Sequence, residues 1–210
     1  MEKLILRSLL ILGTFVFAAC GKVTEEDVSG IDSFTTVSGA FSQSDSTKIE
    51  GSGTIRFIQA LNISSSRSFT LKASLDSAIS ASSISVIMYS PNSALPEANG
   101  IRITLTRSGA SVNGQIAFNG NSASIPSSAL TYYYPASLDL VIDVHNVASK
   151  ARVMIWRRNM VQYGAATADI DTDGNMSSLP SQNGTGNYVG LILQNATVLA
   201  AKVDNPKVLD

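Results

Sequence analysis

One short loop carries side chains spaced for metal chemistry. Asp169, Asp171 and Asp173 place carboxylates at alternate positions, and Gly174 follows at the sixth position of the same loop. A glycine there permits a tight turn, so the three carboxylates can point at one hard cation such as Ca²⁺, which takes oxygen ligands. Pro180 stands at the twelfth position, where a bidentate glutamate would complete such a loop. The spacing predicts either a weak Ca²⁺ site on these aspartates, with further ligands from elsewhere, or a solvated turn.

Acid–base chemistry has few candidates in this chain. His145 is the only histidine, and Asp143 lies two residues before it, which on a strand puts both on one face about 7 Å apart. No Gly-X-Ser-X-Gly turn supplies a nucleophile for a Ser-His-Asp triad. Glu50 and Glu97 are far apart in the sequence and do not form the carboxylate pair that glycoside hydrolysis uses. The residues therefore indicate a protein without catalytic activity.

Aromatic residues point to a binding surface instead. The only tryptophan, Trp156, lies on a predicted hairpin over 138–158, and its environment depends on the register. A three-residue connecting loop puts Trp156 in the core, whereas an even-numbered loop brings it out beside Asp143 and His145. The second arrangement is an aromatic platform with polar neighbours, suited to stacking on sugar C–H faces and bonding hydroxyls. The candidate ligand-binding residues are Trp156, Tyr132, Tyr133, Tyr134, Asp143 and His145.

The elements that must position these residues are β-strands. From residue 49 onward, short runs rich in β-branched and aromatic residues alternate with Ser, Asn, Gly and Pro clusters, and no long run has a helical period. Residues 101–107 alternate apolar and polar side chains, as in an antiparallel sheet with one buried face. The predicted strands cover 53–63, 68–75, 84–89, 101–107, 111–119, 138–147, 152–158 and 188–203. This pattern predicts an all-β, antiparallel two-sheet β-sandwich.

The C-terminal part of the chain carries a family resemblance. Gly190 and Leu191 begin an apolar run, and Asp204 and Asn205 precede a last Val208. This arrangement resembles the closing strands of concanavalin-like and laminin-G-like jelly rolls. The resemblance implies a jelly-roll β-sandwich for residues 49–210, and fold alone does not carry function.

The N-terminus has the form of a secretory signal. Lys3 and Arg7 give it a positive start, and the apolar run over 9–19 is shorter than the roughly 20 residues that span a bilayer. Residues 17–21, Phe-Ala-Ala-Cys-Gly, resemble a bacterial lipobox. That resemblance implies that the signal peptide 1–19 is removed and that Cys20 is acylated; an ordinary signal peptide cleaved nearby is the alternative.

The remaining expectations concern location and partners. Residues 20–48, which are rich in Ser, Thr, Gly and acidic residues, are predicted to be a tether, with a strand around 34–37. No Asp follows Cys20, and by analogy with lipoproteins this favours the bacterial outer membrane. A single cysteine consumed by lipid leaves none for disulfides, and a net charge of −1 argues against a nucleic-acid partner.

Two functions fit these observations. The first is a lipid-anchored cell-envelope lipoprotein whose non-catalytic β-sandwich binds carbohydrate or another surface polymer. The second is a structural or assembly lipoprotein that contacts another envelope protein, for example by adding a strand at a sheet edge. Exposure of Trp156 is expected to separate the two.

Overall fold

The computed structural model describes residues 30–43, 47–76, 78, 81–147, 150–160, 162–177 and 183–208. The signal peptide, Cys20 and the predicted tether up to residue 29 lie outside these ranges. Within them the chain is almost entirely β-strand, with two short 3₁₀ helices at Ser127–Leu130 and Ala165–Thr167 and no α-helix. No helix in this part of the chain is long and apolar enough to cross a bilayer.

The described residues form twelve strands that join in a single sheet. Their bounds are β1 Gly30–Ile31, β2 Phe34–Gln43, β3 Ile49–Phe57, β4 Arg67–Leu75, β5 Ser83–Ser90, β6 Ile101–Ser108, β7 Ser111–Phe118, β8 Asn121–Ser124, β9 Leu138–Val147, β10 Lys150–Arg157, β11 Ile170–Asp171 and β12 Tyr188–Asp204. The strand order is β11-β10-β9-β4-β12-β5-β6-β7-β8, while β3 and β1 pair with β12 and β2 pairs with β3. The β1–β12 pair is parallel, and the other pairs are antiparallel.

The long strand β12 connects the two halves of the sheet. Its first part, from Gly190 to Leu193, pairs with β5 and β3, and the part from Ala196 onward pairs with β4. The register shifts between these parts at Asn195, whose φ is +48°. An irregularity of this kind bends a strand and increases its twist. The segment from Tyr188, which the sequence left as one bent strand or two, is thus one bent strand, and it curls the sheet so that its inner faces meet.

The core lies between those inner faces. In β6, Ile101, Ile103 and Leu105 are buried, whereas the polar residues between them are partly exposed. The same apolar cluster includes Leu140 of β9 and Ile155 of β10 from the other half of the sheet. Each such side chain contributes about 1.5–3 kcal/mol when fully buried, which holds the fold together without a disulfide. The all-β antiparallel class predicted from the alternation is confirmed.

The sheet begins earlier in the chain than predicted. The sequence assigned residues 20–48 to a tether, but β1 pairs with β12 and all of β2 pairs with β3, so the tether prediction is wrong from Gly30 onward. Phe34 and Phe41 of β2 pack against the core. Glycines let the two backbones approach closely, since a Cβ on Gly39 would lie 2.3 Å from the Ser52 carbonyl oxygen. The predicted strand around 34–37 is the start of β2, and the Ser- and Gly-rich composition hid the rest of it because its outer side chains are polar.

Candidate functional site

The hairpin of β9 and β10 has the even-numbered loop that the sequence analysis left open. Val147 pairs with Lys150, so two residues connect the strands, and Trp156 lies opposite Val141. Ile142 faces Ile155 on the side that joins the main core. Side chains alternate along a strand, so Trp156 shares the other side with Asp143 and His145.

Trp156 is nevertheless fully buried, with 0% of its surface exposed. Its indole Nε1–H donates a hydrogen bond to the Gly164 carbonyl oxygen at 3.2 Å, and the Tyr163 ring packs edge-on with centroids 5.6 Å apart. The loop that follows β10 therefore covers the indole. The prediction of an exposed platform at Trp156 is wrong, because a second layer of chain lies over the outer face of this hairpin.

Asp143 and His145 are buried under the C-terminal segment. The Asp143 Oδ2 atom accepts hydrogen bonds from the backbone N–H groups of Lys207 and Val208, both at 2.8 Å. The Nε2 atom of His145 lies 3.9 Å from the same oxygen. Asp143 holds residues 207 and 208 against β9, and both Asp143 and His145 are buried, so their predicted role as surface contacts for a ligand is wrong.

The tyrosines lie on a fixed turn. Tyr132 and Tyr134 expose 60% and 58% of their surface, and Tyr133 between them is buried. The Tyr133 N–H donates to the Leu130 carbonyl oxygen at 3.0 Å, and the Pro135 carbonyl oxygen accepts from the Leu75 N–H of β4 at 2.7 Å. We call residues 131–135 the tyrosine turn. Backbone bonds on both sides hold it, so its exposed rings are presented by an anchored loop.

A side-chain network supports the tyrosine turn from below. The Tyr133 hydroxyl donates to Asp169 Oδ2 at 2.9 Å, and Arg157 Nε donates to the same oxygen at 3.2 Å. Burial, reinforced by the Asp169 carboxylate, raises the pKa of Tyr133 well above its ordinary value, so the phenol keeps its proton. The Arg157 guanidinium lies 4.6 Å from the centroid of the Tyr132 ring. Such a cation–π contact contributes about 0.5–1 kcal/mol at an exposed site and restrains the Tyr132 ring.

The three aspartates do not form the predicted calcium site. Asp169 pairs with Arg157, Asp171 accepts two hydrogen bonds from Arg152 at 2.9 and 2.6 Å, and Asp173 pairs with Lys150. Each carboxylate is thus directed at a basic side chain of β10 rather than at a shared point. In the ranges that the structure describes, no three Asp, Glu, His or Cys side chains are grouped to hold a metal ion.

Arg152 also determines the charge state of Asp171. Burial alone would raise the pKa of Asp171, but the hydrogen bonds from Arg152 and from backbone N–H groups outweigh it and hold the pKa below its ordinary value. Asp171 is therefore ionised at neutral pH and fastens β11 to β10.

A second feature next to the tyrosine turn was missed by the sequence analysis. A cleft of about 390 Å³ opens where β3, β4 and β12 meet, and Ala136, just after the tyrosine turn, lines it. The polar residues that line the cleft include Glu50, Asp76 and Asn195. The only sequence signal for it was an asparagine inside an apolar strand, where asparagine is disfavoured and often marks an irregularity.

Comparison with known proteins identifies the fold. No family model and no curated protein matches this sequence. Among solved structures, the VIP36 exoplasmic/lumenal domain in its Ca²⁺/Man3GlcNAc-bound form is 12% identical, covers 88% of this chain and 91% of its own, and has a TM-score of 0.52. The carbohydrate-binding module CBM66 from Bacillus subtilis is 13% identical, with coverages of 83% and 96% and a TM-score of 0.50.

A third structure agrees with these two. The carbohydrate recognition domain of Emp47p is 13% identical, covers 86% of this chain and 96% of its own, and has a TM-score of 0.50. At such low identity the likeness shows the fold and not the function. The chain is thus an all-β protein with the jelly-roll β-sandwich fold found in carbohydrate-binding modules and lectins.

Proposed function

We propose that this protein is a non-catalytic carbohydrate-binding module that binds a glycan or another surface polymer at the tyrosine turn. The observation that carries the proposal is the pair of exposed rings of Tyr132 and Tyr134, held in place by the Tyr133–Asp169–Arg157 network. The shared jelly-roll fold of carbohydrate-binding modules and lectins supports it at the level of architecture.

The chemistry of the tyrosine turn fits sugar recognition. Exposed aromatic rings offer an apolar face on which the C–H face of a pyranose can stack, and their hydroxyls offer hydrogen bonds to the ring substituents. Arg157 adds N–H donors beside Tyr132. Because the backbone of the turn is already fixed, binding costs less conformational entropy than it would on a free loop.

We also propose that the domain is attached to a membrane through a lipid. Cys20 is acylated after removal of residues 1–19, and the domain is held at the bacterial outer membrane by several acyl chains, since one chain anchors only marginally. Metabolic labelling with an alkyne-tagged palmitate tests this: the wild type incorporates label, and Cys20→Ala does not. Label retained in Cys20→Ala, or none in the wild type, would contradict the anchor while leaving glycan binding untouched.

The binding proposal is tested with the full-length protein in detergent. It is screened against neutral and acidic oligosaccharides and cell-wall polymers, with and without Ca²⁺, and the best binder is titrated by calorimetry. Tyr132→Ala and Tyr134→Ala are expected to weaken binding roughly tenfold each, equivalent to about 1.4 kcal/mol, because each loses a stacking face. Tyr132→Phe keeps the ring and is expected to bind nearly as wild type.

A matched control comes from the far end of the sheet. Ile58 is 67% exposed on the loop after β3, and Ile58→Ala removes a similar apolar surface there. The affinity of Ile58→Ala for the best-binding glycan should equal that of the wild type. If both tyrosine variants bind with wild-type affinity, or if the wild type binds no polymer, the proposal is contradicted.

The alternative is an assembly lipoprotein, and two observations favour it. The first is the burial of Trp156, since an exposed indole was expected for a sugar-binding face. The second is an open strand edge. In the described part of the chain, β2 pairs with β3 on one side and has no strand on the other. An open edge of ten residues is a template for strand addition by another envelope protein. Crosslinking from β2 in intact envelopes, combined with failure of the glycan screen, would support this alternative.

A further inference from the structure

The cleft next to the tyrosine turn is formed by the bend of β12. At Asn195 the backbone turns to a positive φ, and its N–H donates to Ser52 Oγ at 2.9 Å. The Asn195 carbonyl oxygen accepts from the Asp76 N–H at 3.1 Å, and its Nδ2 donates to the Ala81 carbonyl oxygen at 2.9 Å. These bonds fix the point where β3, β4 and β12 diverge, so the cleft is a permanent feature of the sheet.

The cleft and the tyrosine turn belong to one surface. Ala136 lines the cleft, and Tyr134 with its exposed ring stands only two residues earlier. Two residues span at most about 7 Å. The hydrogen bond between Leu75 N–H and the Pro135 carbonyl oxygen holds the turn against the cleft wall. The lining of the cleft at Ala136 therefore lies within about 7 Å of the Tyr134 backbone.

The lining of the cleft suits a sugar ring. Its polar members are two carboxylates, two hydroxyls and an amide, from Glu50, Asp76, Ser74, Thr197 and Asn195. Ala136 is exposed at the cleft and provides apolar contact, whereas Leu75 and Ala196 belong to the core beneath it. Carboxylate and hydroxyl oxygens accept hydrogen bonds from sugar hydroxyls, while apolar groups meet C–H faces. A volume of about 390 Å³ is within the range of small-ligand pockets.

The charge of the lining gives selectivity. None of the residues that line the cleft is basic. Lys48 pairs with Glu50 at 2.8 Å, but both side chains are well exposed, and an exposed pair of this kind holds weakly. Bringing a uronic-acid carboxylate beside Glu50 and Asp76 would place like charges together, which is unfavourable.

We propose that the cleft is a second subsite for the glycan that binds the tyrosine turn, and that it takes a neutral sugar residue in preference to a uronic acid. The inference rests on the proposed function and deepens it. The ligand is then an oligosaccharide or polysaccharide long enough to reach from Tyr134 into the cleft, and a monosaccharide binds weakly.

The test uses Ala136→Arg, which places a long side chain at the mouth of the cleft, in the full-length protein. Ala98→Arg is the matched control, because Ala98 is also an exposed loop alanine and lies before β6, away from the cleft. Gluco-, xylo- and manno-oligosaccharides of one to six residues are titrated, with oligouronates for comparison. Ala136→Arg is expected to lower hexasaccharide affinity at least tenfold and disaccharide affinity less than twofold; Ala98→Arg should change neither.

A milder variant and a spectroscopic readout guard against misfolding. Glu50→Gln keeps the shape of the cleft. It is expected to lower several-fold the ratio of the affinity for neutral chains to the affinity for uronic chains. In ¹⁵N spectra of the wild type, the hexasaccharide should shift the backbone amides of Asn195 and Thr197.

The outcomes separate the two proposals. One result would overturn the second subsite alone. In it, Tyr132→Ala weakens glycan binding, Ala136→Arg and Glu50→Gln leave it unchanged, and the hexasaccharide causes no shift at Asn195. Absence of saccharide binding by the wild type would overturn the proposed function and this inference with it.

Discussion

The outer face of the β9–β10 hairpin and the tyrosine turn contain the same kinds of residues but differ in what covers them. Each combines an aromatic ring with aspartate and a basic or titratable neighbour: Trp156 with Asp143 and His145, and Tyr132 with Asp169 and Arg157. On the hairpin, the loop after β10 and the C-terminal segment cover the aromatic and acidic groups. At the tyrosine turn Tyr132 and Tyr134 remain exposed, although the Arg157 guanidinium lies over one face of the Tyr132 ring.

The difference shows that a binding surface is defined by absence of cover as much as by residue type. A buried carboxylate must find hydrogen-bond donors within the protein, and Asp143 finds them in the backbone of residues 207 and 208. An exposed ring needs no partner and stays available to a ligand. The hairpin face therefore contributes to stability, and we expect the tyrosine turn to contribute to binding.

The largest expected effect is on the hairpin. Trp156→Ala should destabilise the protein by about 3–5 kcal/mol, because it leaves a large cavity between β10 and its covering loop. Trp156→Phe should cost less, since most of the apolar volume remains. Urea denaturation measures both. The wild-type tryptophan emission should be blue-shifted and resistant to acrylamide; emission typical of water would contradict the burial of Trp156.

A smaller loss is expected when the C-terminal segment is released. Asp143→Ala removes one carboxylate oxygen that accepts two backbone hydrogen bonds, and we expect a loss of about 1.5–3 kcal/mol in all. Hydrogen exchange of the Lys207 and Val208 amides should accelerate in this variant. Glu97→Ala is the control, because Glu97 is an exposed acid on the loop before β6 and pairs with Arg102 rather than with this segment. Unchanged protection in Asp143→Ala would show that another contact holds the segment.

The ion pair of Asp171 and Arg152 should give a pH-dependent effect of about 1 kcal/mol. The pKa of Asp171 is lowered in the folded state, so its contribution is present at neutral pH and is lost as pH falls below about 4, through the folded pKa. Asp171→Asn should lower the melting temperature at pH 7 and lessen its decline in acid. If the melting temperatures of the variant and the wild type decline in parallel from pH 7 to pH 2, this assignment is refuted.

The smallest effect on stability is expected at the tyrosine turn. Tyr132→Ala should change the free energy of unfolding by only about 0.5–1 kcal/mol, mainly through loss of the contact with Arg157. Tyr133→Ala, by contrast, removes a buried ring and its hydrogen bond to Asp169 and should cost several times more. If Tyr132→Ala and Tyr133→Ala lower the free energy of unfolding by similar amounts, Tyr133 does not support the turn as described.

Much of the fold could be predicted because it depends on local patterns. Alternation in 101–107 identified β6, and the bounds of β9 were predicted to the residue. Only the first part of β2 was predicted, as a strand around 34–37, since its side chains are mostly exposed and polar and it carries no apolar period. Its place in the sheet depends on backbone pairing with β3 and on close approach at glycines, neither of which a hydrophobic pattern records.

By itself, the sequence determined the all-β class, the alternation that builds the core and the residue types available for binding. It left open the register of the hairpin, and the two-residue loop seen in the structure decided which side Trp156 occupies. Only the tertiary structure decided that this side is covered, that the three aspartates pair with Arg157, Arg152 and Lys150, and that Ala136 meets β12 at a cleft. Periodicity assigns a side chain to a face of its own strand, whereas exposure and ion pairing depend on segments distant in sequence that only the folded chain brings together.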